Sequence, residues 1–193
     1  GVCGGADGTC IFKNGDKFSL KQLTRMPDRI AQHSACPGCG IFSNLSLFLR
    51  GIDGPVVLIF NTGCGMVVTT GFPNTSFKVP YFHNLFHNGA STATGVVNMI
   101  RRFRRQGKLS EDVTVIVVTG DGGDDIGMDQ VIGAALRDDP FIMLEYDNKG
   151  YMNTGGQWSS TTPPGALTTT STLADVAEAS LSNRKDLLAI AMA

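Results

Sequence analysis

The feature that most constrains this chain is a junction. Residues 113–119 (VTVIVVT) run directly into Gly120-Asp121-Gly122-Gly123-Asp124-Asp125-Ile126-Gly127. A strand-length segment that is apolar at nearly every position has no face to spare for water, so it belongs in a parallel sheet covered on both sides. The glycine-rich segment after it is then a strand-to-helix turn at the carboxyl end of that strand, where open α/β sheets bind their ligands. Glycines let backbone approach a diphosphate closely, and a helix N-terminus offers N–H groups and the positive end of its dipole. The turn carries no lysine, which excludes a Walker A loop. It carries Asp121 instead, a ligand for a hard divalent cation that bridges to phosphate oxygens.

The rest of the chain repeats this alternation. Residues 55–60 (PVVLIF) read as a buried strand ending in the glycine-rich turn 61–65, and residues 141–146 (FIMLEY) as a further strand. Helical spacing predicts helices over 41–49 (beginning just after Cys39), 90–103, 127–136 and 173–181. Two long loops are expected, one over 69–84 with Pro73 and Pro80 and one over 147–172 rich in Gly, Ser, Thr and Pro. Strands alternating with helices, without a fixed-period repeat, predict an α/β fold with a doubly wound, mostly parallel sheet and helices on both faces.

Composition narrows the partners. A net charge of −1 and a pI near 6.3 give no basic field to attract nucleic acid or an anionic membrane. The longest purely apolar runs, 56–60 and 115–118, fall far short of a membrane span, and no secretory leader opens the chain, so a cytoplasmic protein is expected. Its 24 glycines are about twice the ordinary share, which predicts many places where backbone must come close to something.

A second polar cluster, Asp147-Asn148-Lys149-Gly150, follows the strand at 141–146. Both clusters leave the same edge of neighbouring strands, so Asp121 and Asn148 can share one Mg²⁺ with a backbone carbonyl as a third ligand. Either turn alone is better explained by the ordinary preference of turns for Gly, Asp and Asn, but the two together at this spacing favour a shared metal site. The cysteines are more open still. Cys36-Pro37-Gly38-Cys39 places two thiols on one tight turn, and Cys64 follows a strand in Asn61-Thr62-Gly63-Cys64-Gly65. Zinc, a redox disulfide, an iron–sulfur cluster and inert buried thiols all fit such a pattern, although the absence of a strand directly before Cys36 disfavours a thioredoxin-like role.

Gly120-Asp121-Gly122, followed by Asn148 27 residues after the aspartate, resembles the thiamine diphosphate signature. With Gly123, Asp125, Ile126 and Gly127, and with the string Tyr146-Asp147-Asn148-Lys149-Gly150-Tyr151-Met152-Asn153-Thr154-Gly155-Gly156-Gln157, residues 33–193 resemble the β subunit of 2-oxoacid:ferredoxin oxidoreductases. The resemblance implies a diphosphate-binding thiamine fold, with Gly120, Asp121, Gly122, Gly123, Asp125, Ile126, Asn148, Gly150, Tyr151 and Cys64 around the cofactor. It implies Mg²⁺ held by Asp121, Asn148 and the Gly150 carbonyl, and Asn153 beside the thiazolium and substrate. It also implies a [4Fe–4S] cluster on Cys36, Cys39 and Cys64, since the 25-residue step from Cys39 to Cys64 matches the family.

Domain organisation follows from the same resemblance. Residues 1–32 are expected as an irregular N-terminal extension with one or two helical turns. Residues 33–193 are expected as the thiamine diphosphate and iron–sulfur catalytic domain, cut short at its C-terminus because RKDLLAIAMA ends in core-like material. The family's fourth cluster ligand lies downstream of this chain; failing that, Cys3 or Cys10 substitutes. The implied activity is oxidative decarboxylation of a 2-oxo acid, with electrons passing to the cluster and then to ferredoxin or another carrier, and the acyl group to CoA. The glutamate that activates the aminopyrimidine comes from another subunit, so the α-, γ- or δ-type chains of the complex are expected partners. The alternatives are a cluster-free thiamine decarboxylase or synthase, and a non-catalytic iron–sulfur electron-transfer subunit.

Three weaker features remain. His83 and His87 would share a face on a helix; a solvated or otherwise satisfied pair is the default, with lining a substrate pocket ahead of zinc because the zincin glutamate is absent. Arg101, Arg102, Arg104 and Arg105 crowd a helix C-terminus, where cations complement the dipole and face solvent, with docking of an acidic carrier or a CoA phosphate as the sharper alternative. Trp158 follows the substrate-side string and is placed to shape side-chain selection.

Overall fold

The computed structural model describes residues 2–3, 9–11, 17–71, 73–171 and 184–192. Its centre is a four-stranded, all-parallel sheet made of Val56–Asn61 (β4), Tyr81–Asn84 (β5), Thr114–Gly120 (β6) and Ile142–Tyr146 (β7), in the spatial order β5-β4-β6-β7. From β4 the chain crosses to one side of the sheet, and from β6 to the other. The carboxyl ends of β4 and β6 therefore flank the topological switch point, where loops diverge and leave a crevice.

Period-2 alternation divides the strand residues between two cores. Val56, Leu58, Phe60, Ile116 and Val118 face one side, where they pack with Leu45 and Leu49 of helix α2 (Gly40–Arg50). Ile59, Val115 and Val117 face the other, against Ala93, Val96, Val97 and Ile100 of helix α4 (Gly89–Arg105). The helix residues recur at i, i+3, i+4 and i+7, so each helix offers one apolar stripe to its face of the sheet. Helices thus cover both faces, as expected, and each fully buried Leu, Ile, Val or Phe contributes about 1.5–3 kcal/mol.

Other elements depart from expectation. The loop expected over 69–84 ends in β5, whose pairing with β4 makes it the outer strand of the sheet. Short and interrupted by prolines upstream, it has no periodicity long enough to mark it as a strand. The Asp121–Gly127 turn is itself helical, as α5 (Asp121–Ile126), before α6 (Met128–Leu136). Cys64–Val67 (α3) adds a single turn after β4. Where irregular chain was expected near the N-terminus, Val2–Cys3 (β1), Thr9–Ile11 (β2) and Lys17–Ser19 (β3) pair as a small antiparallel meander, followed by the helical turn Leu20–Leu23 (α1). Cys3 and Cys10 are Cα partners in that register. The helix expected over 173–181 lies outside the described residues, and a last helix, α7 (Leu187–Met192), comes after it. Among the described residues no helix is long and apolar enough to cross a membrane.

Candidate functional site at the carboxyl edge of the sheet

Each motif takes a defined local form. In Cys36-Pro37-Gly38-Cys39 the Cys39 N–H donates to the Cys36 carbonyl at 3.0 Å, and Gly38 sits at φ +77°. Proline at the second position and a left-handed glycine at the third are the requirements of a type II turn, which brings the two thiols to the start of α2. After β7, Asp147 accepts the Lys149 N–H at 3.0 Å, and Lys149 takes φ +70°. That Asx turn presents Asn148 and Gly150 to the crevice.

Asp121 is buried, and its two oxygens have separate duties. Oδ2 accepts from the Ser159 hydroxyl at 2.7 Å and the Thr161 hydroxyl at 2.9 Å. Oδ1 accepts the Asn148 backbone N–H at 3.3 Å and lies 3.1 Å from Asn148 Oδ1, which is itself 2.9 Å from the Gly150 carbonyl oxygen. Facing oxygens with no proton between them repel. Around an octahedral Mg²⁺, neighbouring ligand oxygens stand about 3 Å apart, so this donor set fits the cation. The amide Nδ2 of Asn148 points the other way and donates to Cys64 Sγ at 3.5 Å.

Two cavities meet here. The smaller, about 140 Å³, is lined by Cys64, Gly120, Asp121, Gly122, Ile126, Asn148, Gly150, Tyr151 and Asn153 together with Thr62, Phe86, Tyr146 and Met152. The larger, about 700 Å³, is lined by all three of Cys36, Cys39 and Cys64. Cys64, Tyr146, Asn148, Met152 and Asn153 belong to both walls. Among the described residues no three His, Cys, Asp or Glu side chains are placed to share one metal ion. A four-iron cluster takes one thiolate on each iron rather than three on one ion, and the donor set here is three free thiols on the wall of one cavity.

Two expected site residues stand behind the cavity instead of lining it. Gly123 is buried under Thr119 and Asn61. Asp125 accepts the Tyr151 hydroxyl at 2.7 Å, the Ser160 N–H at 3.1 Å and Lys185 Nζ at 3.0 Å, tying α5 to the loop that carries Asn153. Burial pushes its carboxyl up, but the bonds from Ser160, Tyr151 and Lys185 outweigh that and hold it below the usual carboxylate range. The same contact, after burial, raises the Tyr151 phenol. Asp124 is fully buried against Glu145, and burial, then the charge of Glu145 and a shared-proton hydrogen bond with it, pushes its carboxyl up to about 8.

The weaker features resolve differently. His83 lies on β5 and His87 beyond it, so they share no helix face. His83 Nε2 is 3.1 Å from the Thr62 hydroxyl at the cavity rim, but neither histidine lines the cavity, whereas Phe86 does. The arginines are exposed, and Arg104 pairs with Asp112 at 2.7 Å. Trp158 is exposed and outside both cavities. Sequence reasoning gave no role to Tyr146, Phe86, Met152, Ser159 or Thr161. Tyr146 and Met152 lay within the quoted string, while Ser159 and Thr161 were indistinguishable from ordinary loop composition.

A parallel sheet whose switch point ends in glycines, an aspartate and an asparagine defines a class, the α/β domains that hold a phosphorylated cofactor at the carboxyl edge. The particular family comes from comparison: the chain belongs to the thiamine pyrophosphate enzymes, whose C-terminal TPP-binding domain matches residues 55–193. It is 36% identical over 186 residues to the pyruvate synthase subunit PorB of Thermotoga maritima, covering 91% of this chain and 57% of that protein. It is 41% identical over 140 residues to PorB of Methanothermobacter thermautotrophicus (72% of this chain, 47% of the relative). Identity to the ketoisovalerate oxidoreductase subunit VorB of Pyrococcus furiosus is 31% over 140 residues (72% and 45%). The fold is shared with the 2-oxoglutarate:ferredoxin oxidoreductase of Magnetococcus marinus at a TM-score of 0.58 and 23% identity, over 86% of this chain and 52% of that one. The chain spans about half the length of the curated relatives it matches.

Proposed function

We propose that this chain is the thiamine diphosphate-binding part of a 2-oxoacid:ferredoxin-type oxidoreductase, a cytoplasmic complex that decarboxylates a 2-oxo acid and passes the electrons to an iron–sulfur cluster and then to ferredoxin or another carrier, with CoA as the usual acyl acceptor. The observation that carries the reading is that the Asn148 side-chain amide meets both Asp121 Oδ1 and the Gly150 carbonyl oxygen beside a cavity that also reaches Cys64. Asp121 Oδ1, Asn148 Oδ1 and the Gly150 carbonyl oxygen would hold Mg²⁺, and the cation would hold the cofactor's diphosphate. Bound thiamine diphosphate supplies the electron sink that decarboxylation requires.

The chain's own residues do the positioning. Ser159 and Thr161 hold Asp121 through Oδ2, which would leave Oδ1 to face the cation. Asn153 lines both cavities, which supports a role for it beside the reacting end of the substrate. Cys36, Cys39 and Cys64 would hold three irons of a [4Fe–4S] cluster, with the fourth ligand from the downstream part that the resemblance implies or, failing that, from Cys3 or Cys10. A cavity of about 140 Å³ is well below the roughly 300 Å³ at which ligand pockets begin, which supports a site completed by another chain. The resemblance assigns the activating glutamate to a partner chain, and among the described residues neither Glu111 nor Glu145 lines that cavity.

The test is the natural complex purified without oxygen, assayed for thiamine diphosphate, iron and sulfide, then given a panel of 2-oxo acids with a viologen dye as acceptor. Pyruvate leads the panel because the PorB relatives are the more similar, and 2-oxoisovalerate comes second. Thiamine without iron would favour a cluster-free decarboxylase or synthase. Iron without thiamine would leave an electron-transfer subunit.

A further inference from the structure

Asn148 addresses both cavities with one amide. Its Oδ1 is set against two oxygens, Asp121 Oδ1 at 3.1 Å and the Gly150 carbonyl at 2.9 Å, and its Nδ2 donates to Cys64 Sγ at 3.5 Å. The orientation is poor for an empty site. Turned over, the amide would donate to both of those oxygens at the same distances, exchanging two repulsive contacts for two hydrogen bonds at the cost of one N–H···S contact. A cation among the three oxygens reverses the preference, because it requires Oδ1 and so delivers Nδ2 to the sulfur.

We infer that Asn148 is a positioning residue that couples the two cofactors: the divalent cation sets the orientation of its amide, and the amide in turn tunes the reduction potential of the cluster held by Cys64. The inference rests on the function proposed above and adds a linkage to it. Hydrogen bonds to ligating sulfurs are one of the means by which proteins set cluster potentials. When the oxidised cluster accepts one electron, negative charge grows on its sulfurs and the N–H···S bond strengthens. No covalent bond forms or breaks, and no proton is taken up. A cation that locks the donor in place therefore favours the reduced cluster, and by reciprocity the reduced cluster binds the cation more tightly by the same factor.

The experiment uses the natural complex, with dithionite as reductant and the cluster followed by electron paramagnetic resonance. Redox titrations are run on complex replete with Mg²⁺ and thiamine diphosphate, and on complex freed of Mg²⁺ by a chelator. The expected result is a higher potential in the replete form by about tenfold in the reduction equilibrium, or about 59 mV for one electron. The same samples, exchanged into deuterated water, are examined for an exchangeable proton coupled to the reduced cluster. That coupling should be present with Mg²⁺ and weakened without it. Asn148→Asp keeps an oxygen for the cation but removes the donor, so the coupling should be absent and the Mg²⁺-dependent shift smaller than in the natural complex.

A potential indifferent to Mg²⁺, in complex that contains both cofactors, overturns the linkage and leaves the proposed function standing. An equal shift in Asn148→Asp also overturns it, because charge acting through space would then suffice. If Asn148→Asp does not assemble, the exchangeable-proton comparison on natural complex decides alone, and an unchanged coupling after chelation is against the inference. Complex lacking iron or thiamine diphosphate overturns the proposed function, and the linkage with it.

Discussion

Gly120 and Tyr146 are register partners on neighbouring strands, and the tyrosine ring lies over the bare α-carbon so closely that a β-carbon at 120 would stand 2.6 Å from it. The phenol oxygen also accepts the Gly65 N–H at 3.1 Å and would lie 2.6 Å from a β-carbon at 63. Tyr146 is thus the spacer that sets the distance between the turns after β4 and β6. Gly120→Ala should destabilise the protein by about 1–3 kcal/mol through overpacking and weaken cofactor retention. Pairing it with Tyr146→Val should recover part of the stability but not the retention, since the spacer is then lost. Denaturant unfolding of the four proteins of this double-mutant cycle checks the coupling.

Asp121 and the hydroxyls that hold it should separate from the cysteines in their effects. Asp121→Ala is expected to abolish Mg²⁺-dependent retention of thiamine diphosphate on gel filtration while the iron content stays largely unchanged. Ser159→Ala leaves the ligand in place but frees its far oxygen, so Mg²⁺ affinity should fall by about 10- to 100-fold. Loss of iron together with thiamine in Asp121→Ala would show that the two sites are not separable.

Asp124 should make stability fall with rising pH. Its folded-state carboxyl titrates near 8, against an ordinary value of 3.8. Between those values the folded protein keeps a proton that the unfolded chain has released, so folding becomes less favourable as pH climbs through the window. Asp124→Asn removes that slope. It should match the natural protein within about 0.5 kcal/mol at pH 5 and exceed it by about 4 kcal/mol at pH 9, since roughly three pH units separate pH 5 from the folded value at ~1.4 kcal/mol per unit. Urea unfolding at the two pH values measures both.

Gly38 tests backbone conformation alone. A β-carbon there meets nothing within 4 Å, yet φ is +77°. Gly38→Ala should therefore cost about 1–2 kcal/mol from the left-handed conformation, and Gly38→Asn less, because asparagine tolerates that region better. If the turn positions Cys36 and Cys39 for a cluster, iron content should follow the same order. Equal iron content in all three proteins would separate the turn from cluster assembly.

How much the sequence disclosed depended on how local the signal was. Strands β4, β6 and β7 were legible because apolar runs bounded by Gly, Pro and Asp need no tertiary context to be read. The Gly120–Gly127 turn and the 146–157 string were legible as motifs for the same reason. Strand β5 was not, since its four residues are held by pairing with β4 rather than by any pattern of their own. The meander at the N-terminus is equally short. Ser159 and Thr161 reach Asp121 from 38 and 40 residues away, and nothing in a Ser/Thr-rich loop says which hydroxyls turn inward. Asp125 was placed at the cofactor because it sits in the motif, but its side chain faces Tyr151, Ser160 and Lys185, a network visible only once the loops are folded together.

The five residues common to both cavity walls carry a consequence for descent. A lineage changing its substrate would ordinarily remodel the side chains nearest the reacting carbon. Met152 and Asn153 line both cavities, so under the proposed function they would answer to a second tenant on their other side. Adaptation that would widen the substrate side would then disturb the redox side, so variation in substrate choice would be steered toward residues that line one cavity alone, such as Thr62, Phe86 and Ile126.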